Sequence, residues 1–415
     1  GQERWVESQY NAMSLDEKLG QLFMVSVASS QDKASIANIK TLIREEHIGG
    51  VIFSTGGPIR QAKITNSFQS LSKIPLLVGM DAEWGLAMRL DSTYAFPWNM
   101  TLGAIKDNSI VEKVGKQIGL HAKRLGVHIN FAPDIDINTN PLNPIIGNRS
   151  FGEDRENVAN KGIAFMKGME STGVLSSGKH FPGHGDTATD SHNALPLIPF
   201  TRQRLDSLEL YPYRRLIQEG LSSVMVAHLN VPAMEIQEDL PSSLSEQIIS
   251  GILKEQMGFE GLVFTDALNM KGVSTRGKDG DVELAAFLAG NDILLMPTAV
   301  TKAKEKLQKA YESGRISEER LANSVKKILL AKYKVGLNKY KPIPIDNLYE
   351  DLNGLENDLI YEEAIENAIT VVKNKFYLLG IKKLENKKIA YVKFGDADSK
   401  PFLDELNKYA KVTQV

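Results

Sequence analysis

The 415-residue chain contains no cysteine, which excludes disulfide bonds, cysteine nucleophiles and metal sites built on cysteine thiolates. It also lacks an apolar run of the roughly 18 residues that a membrane-spanning helix needs. The net charge is only −2, and no basic stripe of the kind that nucleic-acid binding requires is present. No G-x-G-x-x-G fingerprint follows the first predicted strand, which disfavours a dinucleotide-binding fold.

Eight short apolar runs precede residue 300, and segments with helical periodicity separate them. Alternating strands and helices are typical of βαβ units, and eight such units favour a (β/α)8 barrel of the TIM type over an open doubly wound sheet. One predicted helix begins with a capping-box pattern, Ser14 followed by Glu17. The predicted strands are LFMVSV (22–27), IGGVIFS (48–54), PLLVGMD (75–81), VHINFAPDID (127–136), VLSSGKHF (174–181), SSVMVAHLN (222–230), GLVFTDALN (261–269) and DILLMP (292–297).

The remainder of the chain predicts a second domain. We expect residues 1–337 to form the barrel and residues 338–368 to form a proline-containing linker and a charged helix. Residues 369–415 then begin a second α/β domain, with strands predicted at 368–374 and 387–396. Because about 45 residues cannot build a complete α/β sandwich, we expect the chain to stop inside that domain.

The segment GKHFPGHGDTATDSHNALP, residues 178–196, carries three of the seven histidines and two aspartates. It is polar and glycine-rich, so we interpret it as a long loop leaving a strand, and such loops more often carry function than core segments do. Asp190 lies two positions before His192, where its carboxylate can hydrogen-bond one imidazole nitrogen and aim the other at a substrate. The pattern predicts a proton-transfer pair.

Several predicted strands end in polar residues, namely Asp81, Lys179, His180, His228 and Asp266. Each alone also fits strand-end solvation or a helix cap, but in a barrel these ends converge on one rim, where catalytic residues lie. Burying the Asp266 carboxylate after an apolar run is costly unless charged groups await it. Lys179, together with Arg149 from the long segment after strand four, can keep Asp266 ionised, as a nucleophile must be.

A metal site is the main alternative for the histidine-containing segment. Its candidate ligands are His180, His184, Asp186, Asp190 and His192. Metal-binding barrels usually spread their ligands over several strands, whereas these imidazoles crowd one glycine-containing loop that suits a delivered acid or base better. We therefore predict no metal and no other cofactor.

At these residues the chain resembles glycoside hydrolase family 3, specifically its bacterial β-N-acetylglucosaminidase (NagZ-like) branch. The resemblance covers about residues 13–335, and its segments are highly specific in combination. They include MSLDEKLGQLFMV, NFAPDIDINTNPLNPIIGNRSFG, GKHFPGHGDTATDSHNALP, SVMVAHLNVPA and GLVFTDALNM. Two departures are the sequence DAEWG at Asp81, where DQEGG is common, and the additional C-terminal region.

The resemblance implies a retaining exo-β-N-acetylglucosaminidase that acts on carbohydrate substrates, including peptidoglycan fragments. Asp266 matches the family's nucleophile, and His192 paired with Asp190 matches the acid/base of this branch. The positions matching substrate-binding residues around the −1 sugar are Asp81, Arg149, Lys179 and His180, with His228 as a further pocket residue.

Other functions remain open at the level of sequence. The same fold could serve a β-glucosidase, a β-xylosidase, a phosphorylase or a non-catalytic muropeptide-binding module. The chain begins with a lone glycine, which suggests that a targeting segment was removed. Together with the bacterial origin that the resemblance implies, this favours a periplasmic or secreted location over a cytoplasmic one.

Overall fold

The computed structural model describes all 415 residues and divides them into two compact units, Gly1–Ala368 and Ile369–Val415. The first unit contains eight parallel strands in the order β7-β6-β5-β4-β3-β2-β1-β8. They are β1 (Phe23–Val27), β2 (Gly50–Phe53), β3 (Leu77–Met80), β4 (Ile129–Asn130), β5 (Leu175–Phe181), β6 (Ser223–Val226), β7 (Leu262–Thr265) and β8 (Leu294–Leu295).

The two ends of this sheet meet, because the Thr265 N–H in β7 donates to the Ile293 carbonyl beside β8 at 3.1 Å. A parallel bridge between Phe264 and Ile293 lies next to this bond. The predicted (β/α)8 barrel is thereby confirmed, and each of its eight strands falls within one of the predicted apolar runs.

Helices cover the outside of the barrel, and each strand is followed by at least one helical segment. They are α1 (Gln2–Ala12), α2 (Leu15–Gly20), α3 (Lys33–Thr41), α4 (Pro58–Leu71), α5 (Asn99–Gly103), α6 (Asn108–Arg124), α7 (Arg155–Ser171), α8 (Arg202–Ser207), α9 (Tyr211–Gln218), α10 (Lys271–Ser274), α11 (Asp281–Ala289), α12 (Val300–Glu312), α13 (Glu318–Lys334), α14 (Leu348–Leu352) and α15 (Leu355–Ala368), with π-helical segments at Leu42–Glu46 and Gln247–Gln256. None of the helices combines the length and the apolar character needed to cross a lipid bilayer.

Local sequence signals explain where several helices begin. The predicted capping box of α2 is present, since Ser14 Oγ accepts from the Glu17 N–H at 3.2 Å and Glu17 Oε2 accepts from the Ser14 N–H at 3.1 Å. Asp107 and Asp154 cap α6 and α7 in the same position before the first helical residue. Side chains of this kind satisfy N–H groups that the first turn of a helix leaves without a partner.

The barrel interior is filled with apolar side chains rather than open. Phe131, just after β4, and Phe264 in β7 meet edge to face with ring centroids 5.0 Å apart. All seven residues of β5 are buried, including Lys179 and His180 at its carboxyl end. The longest strand of the barrel therefore delivers two polar side chains to the rim.

The segment after the barrel helices packs against the first unit instead of leaving it. The charged helix predicted within residues 338–368 is divided into α14 and α15. In α15, buried Asn357 accepts from Gln117 of α6 at 2.9 Å, and Glu363 pairs with Lys113 at 2.9 Å. These contacts make α15 part of the first unit.

The second unit contains two parallel strands, β9 (Ile389–Tyr391) and β10 (Val412–Gln414), and the helix α16 (Lys400–Tyr409) between them. The strand predicted at 368–374 is wrong, because residues 369–374 form no strand. A β-branched sequence favours extended backbone, but a strand exists only where a neighbouring strand completes its ladder. The two strands that form here pair with each other.

Candidate active site

A cavity of about 380 Å³ opens at the carboxyl ends of the strands. This is the rim at which barrel enzymes place their reacting groups. Seven of the eight residues proposed from the sequence are at this rim, and six of them line the cavity. The lining polar residues are Asp81, Arg89, Arg149, Lys179, His180, His184, Ser191, His192, Asp266 and Asn269.

Lys179 and His180 both enter the site, although neighbouring strand residues normally point to opposite faces. The register between β5 and β6 shifts between Gly178 and Phe181, so the regular alternation ends there. Lys179 Nζ lies 3.1 Å from Asp81 Oδ1, and His180 Nδ1 lies 2.7 Å from Asp136 Oδ2. The irregular strand end thus aims two adjacent side chains into one site.

Glu83 pairs with two of the cations of the site, Arg149 and Lys179. Its carboxylate lies 2.7 Å from Arg149 Nη2 and 2.9 Å from Lys179 Nζ, and it is almost fully buried. Burial alone would raise the pKa of this carboxyl, but Lys179 and Arg149 outweigh burial and hold the pKa far below its usual value. Glu83 is therefore ionised and fixes both cations at the floor of the cavity.

Asp81 lies between Lys179 and Arg89, with its Oδ2 atom 3.0 Å from Arg89 Nη2. Burial opposes ionisation, yet Lys179 and then Arg89 lower the pKa of Asp81 below its usual value. A carboxylate held in this way can accept hydrogen bonds from the hydroxyl groups of a bound molecule.

Asp134 and Asp136 form a buried pair beneath His180. Asp136 accepts from the His180 N–H and ring and from the His184 N–H, so its pKa stays below the usual value despite burial. Burial and the neighbouring Asp136 raise the pKa of Asp134 well above the usual value. Its Oδ2 has no hydrogen-bond partner, and Arg149 Nη2 is 3.8 Å away. Because two adjacent buried carboxyls do not both ionise readily, Asp134 is the protonated member.

Asp266 directly follows β7 and is held in place through its backbone. Its N–H donates to the Val226 carbonyl at 2.8 Å, and Oδ1 accepts from the Ala267 N–H at 2.8 Å. Burial would raise the pKa of Asp266, but His180, the Ala267 N–H and Lys179 lower it below the usual value. The side chain is therefore an ionised carboxylate whose second oxygen faces the cavity without a hydrogen bond.

His228 does not line the cavity, in contrast to its predicted contact with a substrate. The ring is fully buried, with Nδ1 2.6 Å from Ser243 Oγ and Nε2 2.8 Å from the Ala267 carbonyl oxygen. Both nitrogens are thus used within the protein. Since Ala267 follows Asp266, His228 holds the backbone that positions this carboxylate.

His192 is carried on the loop after β5, and its side chain is 59% exposed. Asp190 Oδ1 lies 2.8 Å from both the backbone nitrogen and Nδ1 of His192, and Asn193 Nδ2 donates to Asp190 Oδ2 at 3.0 Å. These bonds hold the pKa of Asp190 below its usual value, although burial opposes this. The predicted Asp–His contact is present, and it leaves Nε2 of His192 free at the cavity.

The five residues considered as metal ligands are not brought together. The His184 ring is hydrogen-bonded to the hydroxyl groups of Thr187 and Ser191, and Asp186 Oδ2 pairs with Arg204 Nη2 at 2.7 Å. A different group, formed by Asp134, Asp136 and His180, has ligand atoms within 4.8 Å of one another. Asp136 Oδ2 is already hydrogen-bonded to His180 Nδ1, and the positive guanidinium of Arg149 lies 3.8 Å from Asp134 Oδ2. The group therefore fits a cation poorly, although Asp134 Oδ2 itself has no hydrogen-bond partner.

Sequence reasoning missed several residues of the site, among them Arg89, Glu83, Asp134 and Asp136. Asp134 and Asp136 are separated by one residue in the run NFAPDIDIN, which is the spacing that places two side chains on one strand face. That spacing was a usable signal. Glu83 and Arg89 lie on the loop after β3, whose path the sequence pattern does not reveal.

The match to a family model decides the classification. The model described as the N-terminal domain of glycosyl hydrolase family 3 matches residues 14–331. The chain belongs to glycosyl hydrolase family 3. The family resemblance that the sequence motifs predicted is thereby confirmed.

Individual relatives in this family are moderately similar. Beta-hexosaminidase A of Pseudoalteromonas piscicida is 34% identical over 368 residues, which cover 81% of this chain and 61% of that protein. The structure of a family 3 beta-N-acetylglucosaminidase from Paenibacillus sp. str. FPU-7 has a TM-score of 0.82 at 33% identity, covering 97% of this chain and 80% of that one. A beta-glucoside phosphorylase structure has a TM-score of 0.87 at 27% identity, covering all of this chain and 77% of that one. The chain thus spans about three fifths of the length of the first of these relatives.

Proposed function

We propose that the protein is a retaining exo-β-N-acetylglucosaminidase that removes terminal β-linked N-acetylglucosamine, with peptidoglycan fragments as its natural substrates. The observation that carries this proposal is that an ionised Asp266 and the imidazole of His192 line the same cavity. A glycosidase needs one group to attack the sugar and another to donate a proton to the leaving group. The names of the Pseudoalteromonas and Paenibacillus relatives support an acetamido sugar.

The reaction proceeds in two steps. Asp266 attacks the anomeric carbon while the bond to the leaving oxygen breaks, and protonated His192 gives its proton to that oxygen. Neutral His192 then takes a proton from water, which attacks the anomeric carbon and releases Asp266. Asp190 holds the imidazole through Nδ1 and stabilises its charged form. Lys179, Arg149, His180 and Asp81 bind the hydroxyl groups of the −1 sugar.

The first test compares initial rates on 4-nitrophenyl N-acetyl-β-glucosaminide and on the matching β-glucoside, each with and without EDTA. We expect the acetamido sugar to react at least about tenfold faster, since a site that hydrogen-bonds a substrate group discriminates strongly against its absence. EDTA should have no effect. Preference for the glucoside would contradict the proposed sugar, and inactivation by EDTA would point to a metal at the Asp134, Asp136 and His180 group.

Phosphorolysis is a second candidate function, supported by the likeness to the beta-glucoside phosphorylase structure. An imidazole acid/base accommodates an anionic nucleophile better than a second carboxylate would. Adding inorganic phosphate to the assay and measuring sugar 1-phosphate distinguishes the two reactions. We expect free N-acetylglucosamine as the product with and without phosphate.

The protonation of the carboxyl pair gives a further prediction. Asp134→Asn replaces a neutral acid by a neutral amide, so kcat/KM should stay within about threefold of the original protein. Asp136→Asn removes an ionised acceptor of three donors, so kcat/KM should fall at least about tenfold, corresponding to the ~1.5–3 kcal/mol of a charged hydrogen bond. Equal losses in the two variants would show that Asp134 is ionised.

Stability provides an independent check on Asp134. Its raised pKa means that the folded protein retains a proton that the unfolded chain releases above about pH 4. The stabilisation that this carboxyl contributes is therefore complete below that pH and is lost as pH rises toward the folded-state pKa. Relative to the original protein, Asp134→Asn should gain in Tm between pH 4 and pH 9. A constant difference in Tm over that range would contradict the assignment.

A further inference from the structure

Two residues of the loop that carries His192 are hydrogen-bonded to one buried imidazole at its base, that of His184. His184 is fully buried, with Nδ1 2.7 Å from Thr187 Oγ1 and Nε2 2.9 Å from Ser191 Oγ. The Thr187 hydroxyl donates to the His184 carbonyl oxygen at 3.3 Å, so it accepts from Nδ1–H. Nε2 consequently accepts the hydroxyl proton of Ser191. Burial lowers the pKa of His184 to about 4, so this neutral arrangement persists at neutral pH.

The base of the loop is fixed to the segment after β4. The His184 N–H donates to Asp136 Oδ1 at 2.7 Å, and Asn143 Nδ2 donates to the His184 carbonyl oxygen at 2.7 Å. A Cβ atom on Gly185 would come within 1.9 Å of the Ile137 carbonyl oxygen. The backbone at Gly185 therefore packs directly against the backbone at Ile137, and His184 is a rigid anchor for the loop.

The far end of the loop rests on the first turn after the nucleophile. The Lys271 N–H at the start of α10 donates to the His192 carbonyl oxygen at 3.4 Å. A Cβ atom on Gly272 would lie 2.9 Å from the Ala194 carbonyl oxygen and 3.4 Å from that of Ser191. The loop can approach this closely only because residue 272 has no side chain.

From these two contacts we infer that Ser191 and Gly272 are positioning residues for the acid/base step. The Ser191 hydroxyl attaches the loop to the His184 anchor, and Gly272 provides the surface on which residues 191–194 lie. Together they hold His192 at the cavity that Asp266 also lines, although the His192 side chain itself is largely exposed. This inference rests on the proposed function, because it concerns the proton transfer that His192 performs.

Leaving-group dependence separates positioning from simple structural support. Ser191→Ala removes the hydroxyl donor, and Gly272→Ala pushes the loop away from α10. We expect kcat/KM to fall at least about tenfold on a glycoside with a poor leaving group, because general acid catalysis contributes about 10²–10⁴-fold. On the 2,4-dinitrophenyl glycoside, whose departure needs no proton, the loss should be about threefold or less. Equal losses on both substrates would overturn the inference.

Matched controls are available in the same chain. Thr189 lies on the same loop, is exposed and makes no side-chain hydrogen bond. Gly251 is a helical glycine whose added Cβ would meet no atom nearer than 3.8 Å. Thr189→Ala and Gly251→Ala should match the original protein on both substrates.

Hydrogen–deuterium exchange of peptides spanning residues 186–196 tests, without any turnover, whether Ser191 and Gly272 hold the loop in place. Both test variants should exchange faster than the original protein in these peptides and not in β5. Unchanged exchange together with an unchanged leaving-group ratio would overturn the positioning role of Ser191 and Gly272 while the proposed function stands. If the original protein cleaves no glycoside, the proposed function fails, and with it the assignment of these residues to proton transfer.

Discussion

Asp266→Ala should lower kcat/KM on an aryl N-acetyl-β-glucosaminide by on the order of 10⁴-fold or more, as removal of a nucleophile does in other enzymes. The carboxylate is ionised, carries one hydrogen bond from its neighbour's N–H and presents its second oxygen to the cavity. Alanine leaves no group able to form a covalent intermediate. The surrounding charges of Glu83, Arg149 and Lys179 pair with one another, so the fold should persist.

Rescue by an added nucleophile makes this prediction specific. Sodium azide can enter the space left by the carboxylate and attack the anomeric carbon from the same side. We therefore expect partial recovery of rate on an activated aryl glycoside, with a glycosyl azide of inverted configuration as product. Asp279→Ala, at an exposed position on the same connection after β7, is the control and should behave like the original protein. Activity of Asp266→Ala within about tenfold of the original would remove Asp266 from the mechanism.

The barrel could be predicted from the sequence because each of its strands is a short apolar run with a helical segment after it. The parallel-barrel rule places the carboxyl ends of all strands at one rim, and it therefore predicts that Asp81, Lys179, His180 and Asp266 lie at that rim. The Asp190–His192 contact could also be predicted from the sequence, because two residues that are two positions apart on one loop lie close together in any fold.

The sequence-based prediction of the site fails where irregular backbone decides the direction in which a side chain points. The strand-end rule predicted that His228 lies in the pocket. β6 ends at Val226, however, and the His228 ring beyond it is buried and hydrogen-bonded to the Ala267 carbonyl oxygen. The predicted strand 127–136 contains only Ile129–Asn130 as strand, and the following bend brings Asp134 and Asp136 beneath His180. Such contacts depend on long-range packing, which local sequence patterns do not record.

His192→Ala is the second large effect, and its size should depend on the leaving group. On the disaccharide in which N-acetylglucosamine is linked to N-acetylmuramic acid, the leaving oxygen needs a proton. Loss of general acid catalysis should therefore lower kcat/KM by about 10²–10⁴-fold. On the 2,4-dinitrophenyl glycoside the leaving group is already a stable anion, and kcat/KM should change little. On that substrate kcat should still fall, because in the proposed mechanism His192 also activates the water that releases the sugar from Asp266.

Asp190→Asn distinguishes the effect of the Asp190 charge on His192 from the effect of the hydrogen bond that orients the imidazole. Asparagine can still hydrogen-bond Nδ1 of His192, but it lacks the charge that stabilises the imidazolium. We expect a loss on the disaccharide that is clearly smaller than that of His192→Ala, with the same dependence on leaving group. The double variant should be no slower than His192→Ala alone, because Asp190 acts only through the imidazole. If the two losses multiply instead, Asp190 has a separate role in the reaction and the dyad as described is wrong.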